Sequence, residues 1–516
     1  MEQQLLMEAL QLPLSILYFS FAISFLSFSL LFFFLRSRPG CNSCELCKSY
    51  LDSSWSKSFD NIVDWYAHLL RQSPTQTIHI HVLDNIITAN PDNVEYMLKT
   101  NFDNFPKGKA FSSILGDLLG NGIFNVDGER WNFQRKMASL ELGSLSVRTH
   151  AFAVVSDQLR TRLFPLLHSV SSGGGANLID LQDIFRRFSF DTICKISFGI
   201  DAGCLDLSLP MSEFAAAFDT ATGLSARRAA ATSPALWRLK RLLNWGSERE
   251  LRKAIGLVDM LADEVIRQRK RLGFSSRDDL LSRFMGSVTD DKYLRDIAVS
   301  FLLAGRDTVA SGLTAFFFLL SSHPEVVAKM REEIDGVLLM TNNCCSGQDH
   351  IVPSYDELRA MNYVHAALYE CLRLYPPVQF DSKFCLEDDV LPDGTFVKKG
   401  TRVTYHPYAM GRMESIWGAD YSSFKPERWL RDGAFVPKNP YEFPVFQGGR
   451  RVCLGKEMAL MEMKTVVVSV IREFDVEVAG GVRLPKFASG LTATLSGGLP
   501  ARVHRRHRRV SEECHC

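Results

Sequence analysis

Positive charge is missing from the start of this chain. Met1–Leu35 carries Glu2 and Glu8 but no Lys or Arg, so it lacks the charged leader of a secretory signal. Over all 516 residues neither sign prevails, with a formal net charge of +1. Nucleic-acid binding therefore has no compositional support. No Gly/Ser/Pro-rich linker long enough to divide the chain is present, and no internal repeat. Ser171–Gly175 and Thr341–Gln348 read as surface loops instead, so the several domains suggested by length alone are not expected. No flavin or nicotinamide fingerprint is visible, so a redox reaction would draw its electrons from outside the chain. Cysteine is not scarce, at 12 residues, but the run Cys41, Cys44, Cys47 lacks the fourth thiolate that an iron–sulfur site needs soon after. Cys514, His515 and Cys516 could complete a zinc site with it only by chance geometry. A membrane-anchored zinc protein is thus the weakest reading, and free or lipid-modified thiols near a membrane fit better.

Every residue from Pro13 to Leu35 is apolar, Ser or Tyr, which is long enough to span a hydrocarbon core of about 30 Å. Arg36 and Arg38 follow at once, and the positive-inside tendency places the body of the protein in the cytosol, where thiols stay reduced. The expected layout is a short luminal segment over 1–11, an uncleaved anchor helix over 12–36 and a linker over 37–60. A catalytic domain over 61–502 and a basic tail over 503–516 follow. The body reads as mainly α with small β-sheets. Asp291–Ser321, apolar on most faces, is expected to be a long buried helix ended by Pro324. His323–Val337 reads as a connecting helix and Tyr355–Tyr375 as another. Thr395–Val397 and Thr401–Tyr405 read as small strands.

The stretch Phe446-Gln447-Gly448-Gly449-Arg450-Arg451-Val452-Cys453-Leu454-Gly455 carries the most chemistry. Its pattern, F-x-x-G-x-R-x-C-x-G before a helix with apolar Ala459, Leu460, Met463, Val467, Val470 and Phe474, suits axial ligation of haem iron by the Cys453 thiolate. Gly449 and Gly455 let the backbone approach a flat cofactor, and Arg451 can reach a haem propionate. The positive end of the following helix favours the thiolate.

These residues resemble the haem-binding loop of the cytochrome P450 superfamily, and the resemblance extends over nearly the whole chain after the N-terminal anchor. It implies the cytochrome P450 fold, haem b as cofactor with Phe446 and Gly449 in its loop, and attachment to the endoplasmic reticulum membrane. It also implies NADPH and O2 as co-substrates through an NADPH–cytochrome P450 reductase. For that partner Lys136, Arg450 and Lys456 are candidate docking residues. Glu370 and Arg373 form E-x-x-R on one helical face, and by the resemblance they join Arg428 in a network that holds the cysteine loop. Trp131 and Arg135, i and i+4, read as a clamp on the propionates; the spacing alone also fits an exposed cation–π pair. Ala304-Gly305-Arg306-Asp307-Thr308 sits inside the long apolar helix. Ala and Gly there leave room for a flat ring, and the resemblance makes Asp307 and Thr308 the pair that delivers protons to dioxygen. An N-cap at a helix break is the alternative.

The expected activity is a haem-thiolate monooxygenase. Pro106–Lys109, Phe124–Glu141, Arg187–Gly199, Tyr375–Lys383 and Tyr408–Gly418 look like the plant ω-oxidising group, closest to the branch that oxidises jasmonoyl-isoleucine to the alcohol and then the carboxylate. A fatty-acid ω-hydroxylase is the alternative; a haem-thiolate isomerase or dehydratase and a non-catalytic haem sensor are further from the motifs. Substrate candidates by position are Phe111, Val378, Phe380 and Leu491. Lys107, Lys109, Arg227 and Arg228 are available for a substrate carboxylate, each also readable as a solvated surface charge.

Overall fold

A run that is apolar on every face has to be buried on every face, and the helix at Asp291–Leu320 obeys. It is the one described helix long and apolar enough to cross a membrane, yet 61% of its most apolar window lies buried inside the protein. It is the central strut of the body. Asp290 caps it by accepting the Lys292 N–H at 3.0 Å, and Pro324 opens the next helix where its missing N–H costs nothing.

The computed structural model describes residues 18–29, 44–172, 178–206, 213–231, 234–273, 279–340, 352–480, 485–488 and 490–506. The expected anchor is described only at 18–29, an exposed apolar helix. Arg36, Arg38, Cys41, Thr341–Gln348, most of Ser171–Gly175 and the tail beyond Arg506 lie outside the described residues.

Eight helices position the site: α1 (Gly108–Leu119), α2 (Gly128–Gly143), α3 (Leu181–Phe198), α4 (Glu213–Ala230), α5 (Asp291–Leu320), α6 (Pro324–Met340), α7 (Asn362–Leu374) and α8 (Lys456–Glu473). One continuous core, from Cys47 to Val503, runs through them. A four-stranded sheet flanks it in the order β1 (Thr77–Ile80), β2 (Asn85–Thr88), β4 (Arg402–Tyr405), β3 (Asp381–Phe384). Strand β2 runs parallel to β4, with Ile86 opposite Val403. Strands β5 (Phe474–Val478) and β6 (Pro500–Arg505) pair antiparallel.

Three boundaries differ from the sequence expectation. The segment expected as a linker is partly helical: Glu45–Leu51 packs inward through Cys47, whose Sγ accepts the Val82 N–H at 3.4 Å. A buried, packed thiol is no site for a lipid or a metal. Among the described residues no cluster of His, Cys, Asp and Glu could hold a metal ion. The expected helix over 355–375 is two helices. Tyr355–Ala360 starts from a Ser354/Glu357 capping box and breaks at Met361, after which Glu333 of α6 caps α7 afresh by accepting the N–H groups of Tyr363 and Val364 at 2.7 and 2.9 Å. A cap supplied from another helix leaves no trace in the local pattern. The expected tail begins late, because Val503–Arg505 pair with Phe474–Val476.

Glu462, on α8, is buried and its Oε1 has no partner. Burial pushes its carboxyl up to about 8 from 4.5. A folded value above the unfolded one means the protonated form stabilises the fold. That contribution is complete below about pH 4.5 and is lost as pH rises through about 8. Glu462→Gln is expected to flatten this slope, gaining on the order of a few kcal/mol at about pH 8.5 relative to about pH 5. Urea unfolding at both values checks it, and parallel pH slopes for the two proteins would refute it.

Candidate functional site

The cysteine loop is closed on itself and pressed against an upstream turn. Cys453 N–H donates to Phe446 O at 2.8 Å. Between them Gln447 takes φ +60°, ψ −174°, a region open almost solely to glycine, and such strain persists where the surroundings enforce it. A Cβ on Gly449 (φ +58°) would lie 2.0 Å from Leu98 O, and one on Gly448 2.7 Å from the Tyr441 ring. Those glycines are there for close approach. Leu98 belongs to the π-helical turn Tyr96–Thr100.

Cys453 retains accessible surface but is walled in by protein, and burial pushes its thiol above the ordinary value. The Gly455 N–H, Arg135 and Lys456 act in the opposite direction without prevailing. The expected help from the helix end is outweighed, so burial disfavours the free thiolate here. The neighbours suit a flat, anionic, sulfur-ligated group such as haem. Arg451 lies on the Trp131 face at 4.5 Å, donates to Asp127 Oδ1 at 2.6 Å and Val126 O at 3.2 Å, and leaves its buried Nε without a partner. Arg135, half-buried, is felt electrostatically by Cys453 and Arg451 depresses its pKa further, after burial. Trp131 is buried and its cation–π partner is Arg451, so the exposed Trp131–Arg135 pair that the spacing also allowed does not form.

Glu370 is fully buried and collects five donors. Arg373 binds it through two nitrogens at 2.8 and 2.7 Å, Arg428 Nε at 3.3 Å, Trp429 Nε1 at 2.9 Å and Lys425 N at 3.0 Å. Arg373 spends its remaining hydrogens on the carbonyls of Gly411, Tyr421 and Ser423. The three charged residues named from sequence thus meet, and Trp429, which was not named, completes the group.

Thr308 lies within unbroken helix, so the alternative of an N-cap at a break fails. Its Oγ1 donates to Ala304 O at 2.6 Å, which leaves the oxygen lone pairs as acceptors. Next to it, Asp307 has a buried Oδ1 with no hydrogen-bond partner, and burial pushes its carboxyl up, opposed by Arg306 and Arg186. Gly305 does something other than clear space for a ring: a Cβ there would sit 2.4 Å from Ile193 Cδ1. It lets α5 lie close on α3. Gly305→Ala is expected to cost about 1–3 kcal/mol by overpacking, read as a lower thermal midpoint; an unchanged midpoint would show that the two helices can part freely.

The substrate candidates fall around the sheet end. Phe111 lies under the Lys107 ammonium at 4.4 Å, on α1, which packs against β3. Val378 is half-buried, and a bond from Ala493 N to Pro377 O at 2.8 Å brings the Leu491 segment beside it. That segment reaches α5: Ala493 and Leu495 line a small cavity with Ser311, Thr314 and Phe318. Phe380 packs on His406 at 5.8 Å and is 40% exposed. Two of the four proposed carboxylate partners are already committed. Lys107 is buried against Asp381, and Arg228 is buried between Glu248 and Asp117. Lys109 and Arg227 are exposed.

Sequence reading missed the group around Asp381. Lys107 and Lys383 both bind this carboxylate, the latter at 2.7 Å, and Tyr405 donates to it at 3.1 Å. Burial would raise Asp381, but the two ammonium groups hold it below the usual range; burial pushes Lys383 down to about 7. The available signal was Asp381-x-Lys383 on a strand, where i and i+2 share a face. On the outer side, Lys136 is exposed, Lys456 lies over Phe446, and Arg450 pairs with Asp103 at 3.1 Å.

Comparisons with known proteins agree with this geometry. The family model described as Cytochrome P450 matches residues 55–499. Cytochrome P450 94C1 of Arabidopsis thaliana is 59% identical over 497 residues, covering 95% of this chain and 98% of that one. Cytochrome P450 94B3 of Arabidopsis thaliana is 45% identical, over 88% and 90%. Cytochrome P450 94A1 of Vicia sativa is 42% identical, over 90% of each. The crystal structure of the cytochrome P450DA heme domain shares the fold at a TM-score of 0.68 and 21% identity, covering 82% of this chain and 88% of that one.

Proposed function

Since the chain belongs to the cytochrome P450 family and is therefore a monooxygenase, we propose that it hydroxylates the terminal carbon of an amphipathic carboxylate. The substrate we favour is jasmonoyl-isoleucine or its 12-hydroxy form, oxidised onward to the carboxylate; a fatty acid is the second reading. Haem b held by Cys453 supplies the redox chemistry that activates O2 for insertion into a C–H bond. Arg451, Arg135 and Trp131 bind and orient that cofactor. Glu370, Arg373 and Arg428 keep its loop rigid. Electrons come from NADPH through a reductase that docks near Lys136, Arg450 and Lys456. The N-terminal apolar segment ties the body to the endoplasmic reticulum membrane, with the catalytic residues on the cytosolic side.

The observation that carries the mechanism is the Asp307–Thr308 pair. A carboxyl whose ionisation is hindered by burial, with one oxygen unspent, can hold a proton at Oδ1 and release it. Thr308, with its own hydrogen committed to Ala304, is set to accept a hydrogen bond and so orient oxygen beside that proton. Val378, Phe111 and the Leu491 segment line the apolar approach.

Thr308→Ala is expected to leave haem content intact, since Ala is the better helix former. Product per NADPH should fall by roughly ten- to a thousandfold with peroxide rising, overlapping the lower part of what a positioned proton transfer or a lost hydrogen-bonding group contributes. An unchanged ratio would reduce Thr308 to a helix residue. The substrate is tested by mass spectrometry of products from microsomes given jasmonoyl-isoleucine and, separately, lauric acid. A terminal alcohol from the first supports the favoured reading, one from the second alone supports the fatty acid, and none from either overturns ω-oxidation.

A further inference from the structure

On the sheet face that leads toward Val378 stands a cation without a counterion. Arg402 opens β4 and is half-buried. Its Nε donates to Ser382 Oγ on β3 at 2.9 Å. Among the described residues nothing bonds its two terminal nitrogens, and no carboxylate lies within ion-pair distance. Burial lowers its pKa, opposed first by Tyr66, then by Tyr50 and Asp381. Asp381 is already spent on Lys107 and Lys383. Tyr66, on the helix Ile62–Gln72, is 7% exposed, and its hydroxyl has no hydrogen-bond partner among the described residues. Burial holds that phenol protonated, so it is a donor. Neither the terminal nitrogens nor this hydroxyl is sealed within the protein. Two N–H groups in a fixed fork with an O–H beside them match a carboxylate, and a half-buried cation left unmatched is costly.

The face runs inward from there. Arg402 and Thr404 share a side of β4, and Thr404 Oγ1 meets Ser382 Oγ at 2.8 Å. His406, two residues on, packs against the Tyr66 ring at 5.9 Å and the Phe380 ring at 5.8 Å. Phe380 comes two residues before Ser382 and two after Val378. Val378 neighbours the Leu491 segment, which reaches α5 at Ser311, one turn beyond Thr308. Ser382 and Val378 are separated by at most about 14 Å of chain. Above the cation, Tyr50 OH donates to the carbonyl of Ala230, the last residue of α4, at 3.3 Å. The lane therefore has a charged outer end, an apolar middle and the Thr308 turn at its inner end.

We propose that Arg402 and the Tyr66 hydroxyl bind the carboxylate of the substrate and hold it at the outer end of this lane, with the rest of the molecule laid toward Thr308. This rests on the amphipathic carboxylate proposed above and names the residues that recognise it.

The test uses full-length, haem-loaded protein and the haem absorbance change on titration with lauric acid and, separately, methyl laurate. Arg402→Gln is expected to weaken lauric acid binding about ten- to a hundredfold, the range of a hydrogen bond to a charged group, and to leave methyl laurate binding unchanged. Tyr66→Phe should weaken the acid alone, by about three- to tenfold, as one neutral donor is lost. If Arg402→Gln fails to load haem, Tyr66→Phe, which removes a single oxygen atom, decides by the same comparison. Unchanged acid binding, equal weakening of acid and ester, or a loss that appears in Lys109→Gln or Arg227→Gln instead overturns the proposal. Wild-type protein that binds acid and ester alike overturns it whatever it oxidises. Wild-type protein that prefers the acid but oxidises neither lauric acid nor jasmonoyl-isoleucine counts against the functional reading alone.

Discussion

Cys453→Ala is expected to yield protein without the reduced carbon monoxide band of thiolate-ligated haem, and with no turnover. The expectation is all-or-none because, among the described residues, no second cysteine is placed to substitute. The described cysteines other than Cys44 and Cys453 are buried, and burial holds Cys194 and Cys371 as thiols. The fold itself should survive in part. Cys453 contributes its N–H to Phe446 O, a bond that alanine keeps, and Arg451, Trp131 and Asp127 remain assembled. Absorbance spectra and haem content of the purified variant give the answer, and a normal band would end the assignment of the axial ligand.

The second large effect is on stability. Glu370→Ala removes the acceptor for five hydrogen bonds at the centre of the protein and strands Arg373, which is fully buried. Breaking one side of a buried ion pair costs roughly 3–5 kcal/mol, because the remaining charge is left without compensation. That is a large share of the 5–15 kcal/mol by which a typical domain is stable, roughly speaking. Arg373 also ties the carbonyls of Gly411, Tyr421 and Ser423, so the stretch leading to the cysteine loop should loosen with it. We expect low haem occupancy and a thermal midpoint lowered by several degrees. Glu370→Gln, which keeps the shape without the charge, should fall between. Wild-type occupancy and midpoint in Glu370→Ala would show that the network is dispensable.

What could be read from sequence was what is coded by spacing. The cysteine loop and the E-x-x-R pair have fixed offsets, and each offset maps onto one turn or one helical face, so Cys453 and Arg451 could be singled out and Glu370 and Arg373 named as each other's partners. Arg428 needed the resemblance as well, since nothing local joins it to Glu370. The misses share one cause. Glu333 capping α7, Asp127 holding Arg451, Lys107 meeting Asp381 and Gly305 receiving Ile193 are all pairings across the fold, and a single sequence gives one half of each. Gly305 is the instructive case. Its position beside Ala304 and Thr308 suggested room for a cofactor, and only the packing of α3 shows that the room is for another helix.

The cysteine loop also says when in the life of the chain the cofactor can be taken up. Gly449 lies against Leu98, Arg450 bonds Asp103 across 347 residues and Arg451 bonds Asp127 across 324. Ligand and cradle are thus made at opposite ends of synthesis. Contacts that distant form late and slowly, and domains of this size tend to collapse before they are complete. On the proposed ligation a chain can hold haem only after its Cys453 loop has been made and packed on Leu98, Asp103 and Asp127, so haem content reports chains in which both parts have met.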